Sequence, residues 1–186
     1  MQAWQVHELG DPIDRLILGD VDNPEPSRGQ LLVDVDAVGL AFPDVLQCRG
    51  EYQVKPPLPF TPGGETSGRV AALGDGVEGF EIGERVGAMG GGLAEQVAVS
   101  AGMAFAVPKS LSQAKAAAVP LNYGTTWFAL HNRAGLAEGE TLLVTGRRAA
   151  QGRRPSSWAW PPGPGSWRWL AGPTRQRPVR HSALTM

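Results

Sequence analysis

Apolar and polar positions alternate most cleanly in Leu32-Val-Asp-Val-Asp-Ala-Val38, where Val33, Val35 and Ala37 fall on one side and Asp34 and Asp36 on the other. A period of two is the pattern of a strand with one dry and one wet face. Shorter runs of the same kind predict strands over 68–73, 85–89, 94–99 and 104–107. Glycines at 74, 76, 79, 83 and 90–92 supply tight turns between them. Many short strands joined by glycine turns predict a compact antiparallel barrel.

Helical signals are few at first and then gather. Pro43-Asp-Val-Leu-Gln-Cys-Arg49 has proline where a first helical turn tolerates it and Gly50 where a helix stops. Ser110-Leu-Ser-Gln-Ala-Lys-Ala-Ala-Ala118 offers serine caps ahead of strong helix formers, and residues 125–134 predict a longer helix. The turn 135–139 then leads into a strand-like run, Thr141-Leu-Leu-Val-Thr-Gly146. Helix followed by strand at this point is how a barrel hands over to a doubly wound α/β domain. The fold class is therefore mainly β with a few helices (α+β).

Composition changes the picture at one place. Residues 147–186 hold eight of the seventeen basic residues, four of the six Trp, six of the sixteen Pro and no Asp or Glu. Residues 1–146 keep nine basic residues against all eighteen acids, so a body of charge −9 precedes a segment of charge +8. The overall net charge of −1 conceals this. One cysteine, Cys48, permits no internal disulfide, and with three histidines it cannot build the cysteine-rich clusters of structural zinc. The N-terminus lacks a signal-peptide pattern, and no apolar run approaches the ~20 residues of a membrane span. These features predict a soluble, cytoplasmic protein.

Three stretches together resemble the zinc-independent medium-chain dehydrogenase/reductase family, in particular its quinone reductases. They are Val38-Gly-Leu-Ala-Phe-Pro-Asp44 with residues 49–68, residues 74–86, and Ala117-Ala-Val-Pro-Leu-Asn-Tyr-Gly-Thr-Thr-Trp-Phe-Ala-Leu130 running on to Gly146. The resemblance implies a GroES-like barrel, residues 1–119, followed by the first helix and strand of a truncated, NADP-binding Rossmann domain, residues 120–146. It also implies hydride transfer from NADPH to a quinone or other conjugated carbonyl, and homodimers formed through the Rossmann sheet. Zinc-dependent relatives place histidine in a Pro-Gly-His-Glu segment. Here that position is Gly64, in Pro62-Gly-Gly-Glu65, so the resemblance implies no catalytic zinc.

Carried over residue by residue, Tyr52 matches a tyrosine placed near the nicotinamide, and Asn122, Tyr123 and Thr125 match the segment lining the other side of the cofactor pocket. The family's Gly-Leu-Asn-Phe-Pro-Asp reads Gly39-Leu-Ala-Phe-Pro-Asp44 here, and Ala41 cannot donate the amide hydrogen bond of asparagine. Structural alternatives stand beside these roles. Tyr52 is otherwise a half-buried loop aromatic, and Asn122 and Thr125 are otherwise helix caps. Cys48 reads as a buried, inert thiol, His7 and His131 as structural, and Asp44 and Glu65 as residues bonding backbone groups in proline-stiffened loops.

After Gly146 a Rossmann domain needs a glycine-rich turn and a helix whose first amides hold the pyrophosphate. The chain reads Arg147-Arg-Ala-Ala-Gln-Gly-Arg-Arg-Pro155 instead. We therefore expect residues 147–186 to be a disordered, out-of-frame translation, and the chain as translated to be inactive. Taking the last base of each codon with the first two of the next, from Arg148 and with synonymous codons free, one permitted reading is Gly-Gly-x-Gly-Ser-Ala-Ala-Val-Gln-Leu-Gly-Val-Ala. That is a phosphate-binding turn opening a helix. Two rival readings belong to other classes. Eight arginines interleaved with Trp158, Trp160, Trp167 and Trp169 could hold single-stranded nucleic acid, and the GroES-like domain could serve alone as a noncatalytic interaction module.

Overall fold

The computed structural model describes residues 1–142; the expected strand 141–146 and the segment 147–186 lie essentially outside the described residues. The chain divides into two compact units, Met1–Leu121 and a second that starts at Asn122. The first contains strands β1 (Gln2–Val6), β2 (Leu16–Asp20), β3 (Gln30–Gly39), β4 (Glu65–Leu73), β5 (Arg85–Met89), β6 (Gln96–Ser100) and β7 (Ala104–Ala106). Three short helices join them, α1 (Pro12–Arg15), α2 (Phe42–Cys48) and α3 (Gln113–Ala116), and α4 (Pro120–Trp127) carries the chain into the second unit. The mainly β class read from the sequence is what is observed.

Five strands form one antiparallel sheet in the order β6-β3-β4-β5-β7, and β1 and β2 form a separate two-stranded sheet. The large sheet is open, with β6 and β7 at its edges. Strand β1 lies against the segment entering β6, where Trp4 N–H donates to Leu93 O at 2.8 Å and Glu95 N–H to Gln2 O at 3.1 Å. The hairpin, whose strands gave no clear signal in the sequence, is thus attached through the segment entering β6 and through Phe60, and the large sheet is not closed into the expected barrel.

The core follows from the alternation. Leu31 and Val33 of β3 are buried with Val70, Val86, Ala88 and Val99, while Asp34 and Asp36 are exposed. Burial of each such aliphatic contributes roughly 1.5–3 kcal/mol. Val35 and Ala37 are only half-buried, because the β3–β4 register shifts between them and the bulge turns the strand. A second cluster of Val6, Cys48 and Phe60, with Leu16 against it, ties the hairpin to α2.

Two helices differ from expectation. Helix α3 keeps four of the nine residues expected over 110–118, starting after Ser112 as its N-cap. Helix α4 begins at Pro120 rather than 125 and passes into a π-helical turn, Phe128–Arg133. Its early start has a tertiary cause. The Leu121 N–H, an orphan donor of the first turn, donates to the Glu65 carboxylate at 2.8 Å.

Backbone approach is tightest at Gly68, opposite Val35, where a Cβ would overlap the Asp34 carbonyl oxygen and press on Val33. We predict that Gly68→Ala destabilises the protein by about 3 kcal/mol or more. Urea unfolding checks this; a change within ~0.5 kcal/mol contradicts the close approach.

Candidate functional site

The end of β3, helix α2, the loop 62–64 and the start of β4 converge on one buried carboxylate. Asp44, in the first turn of α2, accepts from Ala41 N–H at 2.7 Å, Gly64 N–H at 2.8 Å and Gly63 N–H at 3.2 Å. Its Oδ2 closes the start of the helix and its Oδ1 holds the loop. Bonds to an ionised acceptor are each stronger than neutral ones, about 1.5–3 kcal/mol. The loop comes this close because Gly63 has φ +94°, and a Cβ there would press on Val38 and the Leu93 amide. Gly64 is different, with no positive φ, and a Cβ at that position makes ordinary contact at 3.5 Å with Asp44 Oδ1.

The next residue, Glu65, is 2% exposed and anchors α4 through Leu121. Gly39 lies alongside, where a Cβ would crowd the Ala117 carbonyl at 2.5 Å and Glu65 Cβ at 3.0 Å. Asp44 thus bonds backbone groups of a loop, as the sequence suggested, whereas Glu65 bonds the first amide of helix α4. Behind them, Cys48 is a buried free thiol. Burial pushes its pKa up, and the neighbouring Asp44 carboxylate adds to the effect.

The expected site residues fall into both units. Tyr52 is half-buried in the connection between α2 and β4. Asn122 and Tyr123 are half-buried and Thr125 exposed, all inside α4. Asn122 and Thr125 are three apart and share a helix face, with Tyr123 on the neighbouring one. Neither Asn122 nor Thr125 caps the helix, since it starts before them; the Asn122 carbonyl accepts from Thr126 Oγ at 2.8 Å.

One polar contact had no signal in the sequence. Gln113 Nε2 donates to Gly68 O at 2.8 Å and Asp36 Oδ2 at 3.0 Å, and the Gln113 carbonyl accepts from Ser67 Oγ at 2.7 Å. This glutamine binds α3 to the middle of β3 and β4. Nothing local distinguishes it from a solvated helix residue. Among the described residues no three His, Cys, Asp or Glu side chains gather as a metal site, and no helix is long and apolar enough to cross a membrane.

The open antiparallel sheet with its attached hairpin, and the acid-clamped Pro-Gly-Gly-Glu loop beside a short helix, define an N-terminal domain of the GroES-like type. Residues 27–109 match the alcohol dehydrogenase GroES-like domain. Mouse quinone oxidoreductase-like protein 2 is 42% identical over 163 residues, covering 81% of this chain and 46% of that protein. A mycobacterial quinone oxidoreductase structure superposes with a TM-score of 0.78 at 31% identity, covering 86% of this chain and 49% of the other. That of Thermus thermophilus, solved alone and with NADPH, gives 0.69 at 37% identity, covering 82% and 48%. The body of the chain is thus similar to the GroES-like part of quinone oxidoreductases of the medium-chain dehydrogenase/reductase family. It spans about half the length of these relatives.

Two outcomes are expected of the clamp and the thiol behind it. Asp44→Asn, which replaces a charged acceptor and turns an NH₂ towards at least one of the three N–H groups, should cost about 3 kcal/mol in urea unfolding; wild-type stability contradicts the clamp. Cys48 should resist alkylation in the native state and react fully once unfolded. Because its pKa is raised in the folded state, stability is full below pH 9.0 and falls as pH rises from there through the folded value. In Cys48→Ala that alkaline loss is expected to shrink, and an unchanged pH profile refutes the assignment.

Proposed function

We propose that the body of this chain descends from an NADPH-dependent, zinc-independent reductase of quinones or other conjugated carbonyls, acting in the cytoplasm. The observation that carries this reading is the likeness to quinone oxidoreductases over more than four-fifths of the chain, one of them solved with NADPH. When bound, NADPH would supply a hydride; Tyr52 and the α4 residues Asn122, Tyr123 and Thr125 are the described candidates to line its nicotinamide. The zinc-free reading is supported at Gly64, which offers no ligand where the metal-dependent relatives place histidine.

The residues present do not fit the whole cofactor. A pyrophosphate needs free amides at a helix N-terminus. In α4 the Leu121 amide is already given to the Glu65 carboxylate, which would repel a phosphate. Directly after Gly146, arginine, alanine and glutamine stand where the glycine-rich turn belongs. We therefore propose residues 1–119 as a GroES-like domain, 120–146 as the start of a Rossmann domain, 147–186 as an out-of-frame segment, and the chain as inactive.

Fluorescence titration with NADPH tests this. The expected result is no saturable change, with no quinone-dependent NADPH oxidation; a micromolar dissociation constant would overturn the assignment of inactivity while leaving the family untouched. The nucleic-acid reading predicts instead a salt-dependent retention of single-stranded oligonucleotide that is lost with residues 147–186.

A further inference from the structure

Among the described residues no strand pairs with the outer edge of β2, and the register fixes which of its backbone groups face outwards. Val21 N–H donates to Met1 O and the Met1 ammonium to Val21 O, both at 2.9 Å. Mutually bonded pairs recur at every second residue, so Ala3–Gly19 and Gln5–Ile17 continue that set. On the other side of β1, Gln2 O, Trp4 N–H and both groups of Val6 are taken by Glu95, Leu93 and Phe60. Strand β1 is therefore paired along both edges. In β2, Leu16, Leu18 and Asp20 turn their N–H and C=O groups away from β1. The Leu16 N–H is spent on Pro12 O. Among the described residues, the outward groups of Leu18 and Asp20 meet no partner.

The edge also lacks the usual guards. It has no proline or lysine, it carries Leu16-Ile-Leu18, and Ile17 and Leu18 are 55% and 47% exposed. Leu18 and its cross-strand partner Trp4 line a shallow groove of about 440 Å³ with Val35, Ala37, Val38 and Leu93.

We infer that β2 is a self-pairing edge, through which two copies of this chain join by antiparallel β2–β2 addition about a two-fold axis at Leu18. In that register Leu18 faces the partner's Leu18 and the two exchange both bonds. Asp20 N–H then meets the partner's Leu16 C=O, and the symmetric bond forms likewise. The Leu16 N–H, already satisfied, asks for nothing. No carboxylate faces a carboxylate, and the paired leucines share a face with Trp4 over the groove. Centring on Asp20 opposes two carboxylates and centring on Leu16 needs the N–H that Pro12 holds, while centring on Gly19 uses the same open groups but sets each Leu18 against Asp20 rather than against leucine. A two-fold contact made of one self-complementary patch is the usual form of a homodimer.

Sedimentation equilibrium of the full chain tests this directly. We expect a monomer–dimer equilibrium whose weight-average mass rises towards twice that of the single chain with concentration. Leu18→Pro deletes an outward N–H without touching the bonds to β1 and should leave only monomer. Ile17→Ser, which trims an exposed apolar side chain but none of the edge groups, should keep the dimer. Should Leu18→Pro fail to fold by circular dichroism, Leu18→Cys decides, since a short bismaleimide should link it into a covalent dimer far more efficiently than Ile17→Cys, with Cys48 buried in both. A wild-type chain that stays monomeric overturns the proposal. So does a dimer that survives a folded Leu18→Pro variant, equal cross-linking of the two cysteine variants, or a monomer that takes up an extended apolar peptide along β2 instead.

Discussion

The arrangement of the first unit depends on one buried carboxylate satisfying three backbone amides. Asp44 lies in the first turn of α2 and reaches both the residue before that helix and two glycines of the loop into β4. A neutral side chain of this size could not accept three amide bonds at comparable strength. Holding the loop there fixes the start of β4, hence Glu65, and through Glu65 the first amide of α4. Two acids twenty-one positions apart thus relay the placement of the sheet's loops to the first turn of α4.

That relay bears on what the domain can do. Around the loop into β4 stand carboxylates that serve backbone donors, an alanine at position 41 and a glycine at position 64. The first amide of α4 is neutralised by an acid, so the helix offers little to an anion. Under the proposed function, the chemistry depends on a cofactor site that these residues do not supply. Chemistry of this kind rests mainly on holding donor and acceptor in register, and the residues directly after Gly146 do not carry the glycine pattern expected for holding the cofactor.

Much of the fold was legible because its cause is local. The alternation of β3, the glycine turns, and the proline and glycine bounding α2 each reflect backbone or solvent preferences of the residues themselves. The β1–β2 hairpin was not legible: its strands are joined through a short helix rather than a two-residue turn, and Leu16-Ile-Leu18 has no alternation because its faces are defined by partners distant in sequence. The start of α4 was missed because its capping acid, Glu65, lies fifty-six residues away. Asp44 and Glu65 could be read as structural acids. The roles of Tyr52, Asn122, Tyr123 and Thr125 came from resemblance alone, and no spacing or periodicity points to them.

The central proposal is that a reductase body is joined, just after Gly146, to a segment read in the wrong frame. The coding DNA across codons 140–160 tests this most directly. The account predicts that an alternative frame opens there onto a glycine-rich turn, a helix and a further apolar strand of the family's type. If neither alternative frame gives such a reading, the change of character at Gly146 belongs to the protein's own design, and the proposal fails.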